Sequence, residues 1–179
     1  MIEDESKLIE KAINGEAEAF GVLYDRYHVQ IFRFVYLKVQ SREEAEDLTH
    51  QSFLHAWQNI KEYTQRGIPI SSWFYRIARN KIIDHYRTQK QLVSLEFAPE
   101  LQSPDESHQE LMDLKFSSEK IMKAIVALKP EYQDVIIMRF VEELSPKETA
   151  IVMKKSSVAV RILQHRAIKA LRSELKIHE

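Results

Sequence analysis

Apolar residues in this chain recur at three- and four-residue steps, the period of an α-helix that buries one face. The clearest run is Phe20, Leu23, Tyr24, Tyr27, Ile31, Phe34 and Val35. Only three glycines and five prolines occur in 179 residues, and β-branched residues do not alternate as they do in strands. The sequence therefore predicts an all-α fold whose helices are joined by short connections.

Start and stop signals divide the first part of the chain into four helices. Gly15 is a C-cap for a first short helix, and the long apolar run forms the second. The sequence Ser41-Arg42-Glu43-Glu44 has the form of a capping box and opens the third. Residues 61–71 contain Gly67 and Pro69, so we expect a loop there, followed by a fourth helix over residues 73–87.

Helical periodicity lapses between residues 91 and 105, a stretch that holds two prolines and several turn-forming residues. Residues 95–119 carry seven acidic side chains and one basic one. We therefore expect two small helical domains, at residues 1–91 and 117–179, joined by a flexible acidic linker at residues 92–116.

The second part of the chain contains a short helix and a longer basic helix with a tight turn between them. Helical spacing returns over residues 107–128, and Pro130 suits the first position of the next helix. Ser145-Pro146-Lys147-Glu148 then combines three helix-start signals, for a helix that ends near Met153. A further helix follows from Ser157 to about Leu175. This order predicts a helix-turn-helix, with an ordinary helical hairpin as the alternative.

Rotation by about 100° per residue separates two faces on the helix at residues 73–87. The apolar face consists of Phe74, Tyr75, Ala78, Ile82 and Tyr86. The opposite face consists of Trp73, Arg76, Arg79, Asn80 and Arg87, with Ile83 among them. Guanidinium groups suit phosphates and an aromatic edge suits an unstacked base. The alternative is a solvated polar face with Trp73 in the core.

The residues of the last helix also divide between two faces. Its core face consists of Ala159, Val160, Leu163, Ala167, Ala170 and Leu171. Its other face consists of Val158, Arg161, His165, Ile168, Lys169 and Arg172. Recognition helices contact bases mainly through their N-terminal turns, so Ser157 and Arg161, and next His165, suit base reading, whereas Lys169 and Arg172 suit phosphates. Because two helices in two domains each have a basic face, nucleic-acid binding is favoured over the alternative that both faces only contact solvent.

Several other classes of protein are excluded or disfavoured by the composition. There is no cysteine, which excludes disulfides and thiolate metal sites. No apolar run approaches membrane-spanning length and the N-terminus is acidic, so we expect a cytoplasmic protein without membrane insertion. The seven histidines are scattered and no phosphate-binding glycine loop occurs, so we expect no enzyme activity, no metal site and no cofactor.

Four segments together resemble the bacterial sigma factors of the extracytoplasmic-function group. They are 45-AEDLTHQSFLHAW-57, 72-SWFYRIARNKIIDHYR-87, 130-PEYQDVIIMRFVEELSPKETAIVM-153 and 157-SVAVRILQHRAIKALR-172. The resemblance covers nearly the whole chain in order. It implies a promoter-specificity subunit that partners core RNA polymerase and promoter DNA, often under the control of an anti-sigma factor.

The resemblance also assigns roles to residues. The first domain would dock on the clamp helices of the largest polymerase subunit through Glu46, Asp47, Leu48 and Gln51. It would engage the minus-ten element through Tyr63, Thr64, Arg66, Trp73, Arg76, Arg79, Asn80 and Arg87. The second domain would contact the polymerase flap and the minus-thirty-five element, the latter through Ser157, Val158, Arg161, His165, Arg166, Lys169 and Arg172.

The chain departs from the family pattern at three places, and two rival functions stay open. His50-Gln51 stands where Gln-Glu is common, the loop sequence RGIPI is not aromatic-rich, and Val158 replaces a frequent glycine. A regulator that binds duplex DNA without polymerase would explain only the helix-turn-helix. A protein–protein module would use the amphipathic faces to pair with a partner's helices.

Overall fold

A computed structural model describes residues 4–64, 67–93 and 119–177. Every regular element in these ranges is helical, which confirms the all-α prediction. The chain divides into two compact units, Met1–Ala98 and Pro99–Glu179. Nearly all of the predicted linker, and the predicted helical spacing before residue 119, lie outside the described residues. The linker limits and its flexibility therefore stay predictions.

The first unit is built around one long central helix. Its helices are α1 (Glu5–Ile13), α2 (Ala17–Val39), α3 (Arg42–Asn59) and α4 (Ile70–Val93). Helix α2 packs against the other three, and its predicted apolar face supplies buried side chains such as Leu23, Ile31 and Phe34. Helix α1 ends at Ile13 with Asn14 as its C-cap, and Gly15 follows at a φ of 93°, which confirms the predicted glycine stop.

Two helix starts in the first unit differ from the prediction. The Ser41 hydroxyl accepts a 3.4 Å hydrogen bond from the Glu44 amide, as a capping box requires. The Glu44 carboxylate, however, lies 3.5 Å from His85 Nε2 and accepts a 3.4 Å bond from Gln89. Glu44 therefore joins α3 to α4 instead of closing the box. Helix α4 begins at Ile70, earlier than predicted, directly after Pro69.

The second unit contains the predicted helix-turn-helix. Its helices are α5 (Glu119–Ala127), α6 (Pro130–Ile136), α7 (Pro146–Met153) and α8 (Ser157–Ile177). Helix α6 begins with proline, as predicted, and a wider π-helical turn at Ile137–Val141 follows it. Helix α8 packs against α5, α6 and α7. Among the described helices of both units, none is long and apolar enough to cross a bilayer.

The capping box that opens α7 forms as predicted. The Ser145 hydroxyl accepts a 3.1 Å bond from the Glu148 amide, and the Glu148 carboxylate accepts a 2.7 Å bond from the Ser145 amide. The helix ends at Met153, and Lys154 then adopts a φ of 53°. Lysine thus takes the left-handed position that glycine usually fills at the end of a helix.

Candidate nucleic-acid interface

The apolar face of α4 is fixed by aromatic packing around Phe74. The ring centroid of Phe74 lies 5.2 Å from that of Phe53, 5.5 Å from that of Tyr27 and 6.4 Å from that of Phe20. Tyr75, Ala78 and Ile82 are also buried, as predicted for the core face. Tyr86, the last residue predicted for that face, is instead 40% exposed, and its hydroxyl donates a 2.6 Å hydrogen bond to the Lys38 carbonyl on α2. Because α2 and α3 hold this side, the rotation of α4 is set and its other side faces outward.

The opposite side of α4 carries the predicted polar residues, which we call the basic face of α4. It consists of Trp73, Arg76, Arg79, Asn80 and Arg87. Asn80 and Arg87 are exposed, whereas Trp73, Arg76 and Arg79 are half-buried. The Trp73 ring packs on Phe74 at 5.8 Å and on Tyr63 at 5.2 Å, so one of its sides belongs to the core. The face thus combines an aromatic edge with guanidinium groups and one amide.

Tyr63 lies beneath the loop before α4 and not on its surface. Its side chain is 6% exposed, and its hydroxyl donates a 2.5 Å hydrogen bond to the Ile68 carbonyl. Burial, and then the nearby Glu5 carboxylate, raise the pKa of Tyr63 above that of an ordinary tyrosine. The ring is therefore buried, whereas the predicted DNA contact calls for an exposed one. Thr64 is exposed, and Arg66 lies outside the described residues.

Helix α3 exposes the polar residues that were assigned to polymerase docking, which we call the acidic face of α3: Glu46, Asp47 and Gln51. Glu46 forms a 3.0 Å ion pair with Arg42, and Asp47 accepts a 2.8 Å hydrogen bond from the Gln51 amide group. Leu48, which the sequence assigned to the same surface, is 4% exposed. Its side chain packs in the core because it lies on the apolar side of α3, so it can support this face but not form it.

The start of α8 is set by a serine cap. The Ser156 hydroxyl accepts a 3.1 Å hydrogen bond from the Ala159 amide, and its carbonyl accepts a 3.0 Å bond from the Val160 amide. Val160 and Ala167 are fully buried, and they turn the helix so that its opposite side faces outward.

The outward side of α8 carries the predicted polar residues, which we call the recognition face. Its exposed members are Val158, Arg161, His165, Arg166, Lys169 and Arg172. Ser157 and Ile168 are half-buried at its edge. Arg166, which helical rotation leaves outside the predicted basic side of α8, is exposed at the border of this face. Ile162 is exposed beside Arg161 and was missing from the prediction, although the same rotation could have found it.

Arg139 is a positioning residue that sequence reasoning missed. Its Nε donates a 2.8 Å hydrogen bond to the Gln164 side chain on α8, and its guanidinium also donates to the Leu144 carbonyl. This half-buried side chain thus connects three parts of the second unit: the π-helical turn, the segment before α7, and helix α8. The signal in the sequence is an arginine within the otherwise apolar run VIIMRFV.

Within the described part of both units, no three histidine or acidic side chains are grouped closely enough to hold a metal ion. The described residues of the candidate interface form one aromatic and basic face, one acidic face, and one recognition face.

Two family models match the chain. The model described as Sigma-70 region 2 matches residues 23–91, and the model described as Sigma-70, region 4 matches residues 118–171. The first match covers α3 and most of α2 and α4, and the second covers α7 and the first 15 residues of α8. Most of both basic helices therefore lies inside matched segments, whereas α1 lies outside them and Arg172 lies one residue beyond the second match.

The chain is similar to curated proteins named as extracytoplasmic-function sigma factors. It is 35% identical over 171 residues to the ECF RNA polymerase sigma factor BldN of Streptomyces coelicolor, covering 92% of this chain and 63% of that relative. It is 27% identical over 166 residues to the ECF RNA polymerase sigma factor SigX of Bacillus subtilis, covering 89% of this chain and 85% of the relative.

Two solved structures share the fold. CnrH, solved in complex with the cytosolic domain of CnrY, has a TM-score of 0.72 at 21% identity, covering 96% of this chain and 97% of that one. The sigma factor RpoE of Bartonella quintana, solved with the anti-sigma factor NepR, has a TM-score of 0.69 at 16% identity, covering 89% and 98%.

Proposed function

The chain belongs to the extracytoplasmic-function group of the sigma-70 family, and from this premise we propose that it binds core RNA polymerase and directs promoter-specific initiation of transcription. One observation carries the proposal: each unit presents an outward basic face on a helix whose other side is held in the core. Two such faces can engage two separate elements of one promoter, whereas a regulator of duplex DNA needs only the second.

The first unit would engage the minus-ten element through the basic face of α4 and the loop before it. Strand capture needs an aromatic edge for an unstacked base and cations for the phosphates, and Trp73 lies on the same face as Arg76 and Arg79. Asn80 and Arg87 extend this surface along the helix, and Thr64 lies at its loop end. Arg66 belongs to the proposed site by its place in the loop sequence, and the buried Tyr63 would hold that loop against Trp73.

The acidic face of α3 would dock on the clamp helices of the largest polymerase subunit. Glu46 and Asp47 are exposed, and complementary charge steers association and fixes orientation. Gln51 orients Asp47 through its hydrogen bond. Leu48 would act from beneath by holding α3 in the core.

The second unit would read the minus-thirty-five element, which we call the upstream element, and contact the polymerase flap. Arg161 lies in the second turn of α8, where a guanidinium can bind a guanine edge in the major groove through two hydrogen bonds. Ser157, Val158 and His165 would also lie near base edges. Arg166, Lys169 and Arg172 would bind phosphates further along the helix.

We propose three further properties with this function. The chain acts in the cytoplasm, where RNA polymerase works, and it performs no chemical turnover of its own. An anti-sigma factor binds it. This last proposal is supported by the Bartonella quintana relative, which was solved with an anti-sigma factor.

Reconstitution with core RNA polymerase tests the proposal. Core enzyme with the full chain is incubated with fragmented genomic DNA, and the 5′ ends of the transcripts are sequenced. We expect transcription start sites that depend on the chain and share a minus-ten element and a minus-thirty-five element. A chain that binds duplex DNA but leaves the starts of core enzyme unchanged would instead be a polymerase-independent regulator.

A charge-reversed pair of variants tests the docking surface by its effect on association with core enzyme. Asp47→Lys should abolish stable association with core enzyme on a sizing column, because it reverses charge in the acidic face of α3. Glu10→Lys makes the same change at an exposed site on α1 and should leave association intact. Equal behaviour of the two variants would remove the acidic face of α3 from the docking role.

A further inference from the structure

Two large apolar side chains are exposed on the recognition face of α8. Val158 is 62% exposed and Ile162 is 49% exposed, although the residues around them are basic or polar. They lie four residues apart, so they are neighbours on one side of the helix. Together they form a small apolar surface within the first two turns of α8.

This apolar surface lies where a recognition helix meets base edges. At about 100° per residue, Val158 falls roughly opposite the buried Val160 and Ala167, near the centre of the outward side. Ile162 lies one turn further along, next to Arg161. The N-terminal turns of a recognition helix enter the major groove most deeply, so both side chains would face bases and not phosphates.

The major groove offers these side chains one apolar partner. Valine and isoleucine neither donate nor accept hydrogen bonds, and the C5 methyl of thymine is the apolar group on a base edge. We propose that Val158 and Ile162 form a contact site for thymine methyl groups in the upstream element. This inference rests on the proposed function of α8 in reading duplex DNA, and it adds thymine to the bases selected there.

The test begins with a selection, because the upstream element has to be identified first. Core RNA polymerase carrying the wild-type chain selects promoters from a duplex library randomised upstream of the start site. Each thymine of the selected upstream element is then replaced, one at a time, by deoxyuridine. Deoxyuridine keeps the base pair and removes only the methyl group, so competition binding against the parent duplex measures the methyl contact alone.

We expect deoxyuridine to lower the binding affinity of the wild-type complex about fourfold at one or two thymine positions. This is the change that corresponds to losing one buried methyl-sized group. Val158→Ala and Ile162→Ala should bind thymine and deoxyuridine equally at the position that each side chain contacts. Both variants should respond normally at the other thymines. Val126→Ala removes the same atoms from an exposed valine on α5 and should keep the full wild-type response.

Three results would overturn the proposal. The first is a wild-type response below twofold at every thymine, and the second is full methyl sensitivity in both alanine variants. The third is a selected upstream element without thymine. A library that yields no upstream element at all is a different outcome: it would contradict the proposed function itself, and the methyl contact would fall with it.

Discussion

The Tyr27 hydroxyl donates a 2.5 Å hydrogen bond to the Glu5 carboxylate and so joins α2 to α1. The same carboxylate oxygen accepts a 3.0 Å bond from Arg26. Burial, followed by the bond to Glu5, raises the pKa of Tyr27 well above that of an ordinary tyrosine. Since the matched region 2 begins at residue 23, this bond attaches a helix outside the family model to the helices inside it.

Removal of the Tyr27 hydroxyl should destabilise the first unit. Tyr27→Phe leaves the half-buried Glu5 carboxylate without one of its donors. We expect a loss of about 1.5 kcal/mol, the low end for a hydrogen bond to a charged group, because Glu5 is partly exposed. Urea unfolding of the full chain measures the loss. Tyr24→Phe is the matched control, because the contacts of Tyr24 are ring contacts with His28 and Phe53. Equal losses in the two variants would contradict the role of the hydroxyl.

The stabilising effect of Tyr27 should disappear in alkali. Its raised pKa means that the folded state keeps the proton after the unfolded state, with a pKa near 10, has lost it. The unfolded state then binds fewer protons, so stability falls as pH rises. We therefore expect the stability difference between wild type and Tyr27→Phe to be constant below about pH 9 and to shrink from about pH 10 upward. A difference that grows with pH would contradict this assignment.

The capping box at the start of α7 should contribute measurably to the second unit. Ser145→Ala removes the hydroxyl that accepts from the Glu148 amide, and loss of such a cap costs about 1 kcal/mol. Ser173→Ala is the matched control: its exposed hydroxyl bonds within α8 to the Lys169 carbonyl, where alanine is a better helix former. Urea unfolding should therefore show a loss for the first variant and none for the second.

Features of the fold that depend only on residues close together in the sequence could be predicted. The α7 box uses four consecutive residues, so Ser145-Pro146-Lys147-Glu148 specifies it without help from elsewhere. The apolar spacing of α2, α4 and α8 likewise follows from helical geometry alone. Helical spacing also predicts that both basic faces point outward, and these faces contain most residues of the candidate site.

Features that depend on distant partners could not be predicted in this way. The box at Ser41 is incomplete because Glu44 pairs with His85 and Gln89, which α4 supplies more than 40 residues later. Tyr63 is buried because Trp73 covers it from the next helix. The role of Arg139 likewise depends on Gln164, a partner on α8.

Arg161 and Lys169 should affect DNA binding in different ways. Arg161→Ala should cost about 1–3 kcal/mol at one base pair and relax the choice of base there, because the guanidinium reads a base edge. Lys169→Ala should weaken binding to all duplexes equally and reduce the salt slope by about one, because its ammonium binds a phosphate. Binding to a panel of singly substituted promoters at several salt concentrations separates the two. Identical profiles for wild type and Arg161→Ala would remove Arg161 from base reading.

A footprint of the reconstituted polymerase on one selected promoter tests the central claim most directly. Hydroxyl-radical cleavage should show two protected segments, one over the upstream element and one at the edge of the melted region. Arg161→Ala should weaken the first selectively, and Arg76→Ala should weaken the second selectively. A single protected segment, or two segments that both variants weaken equally, would contradict the account of two basic faces acting on one promoter.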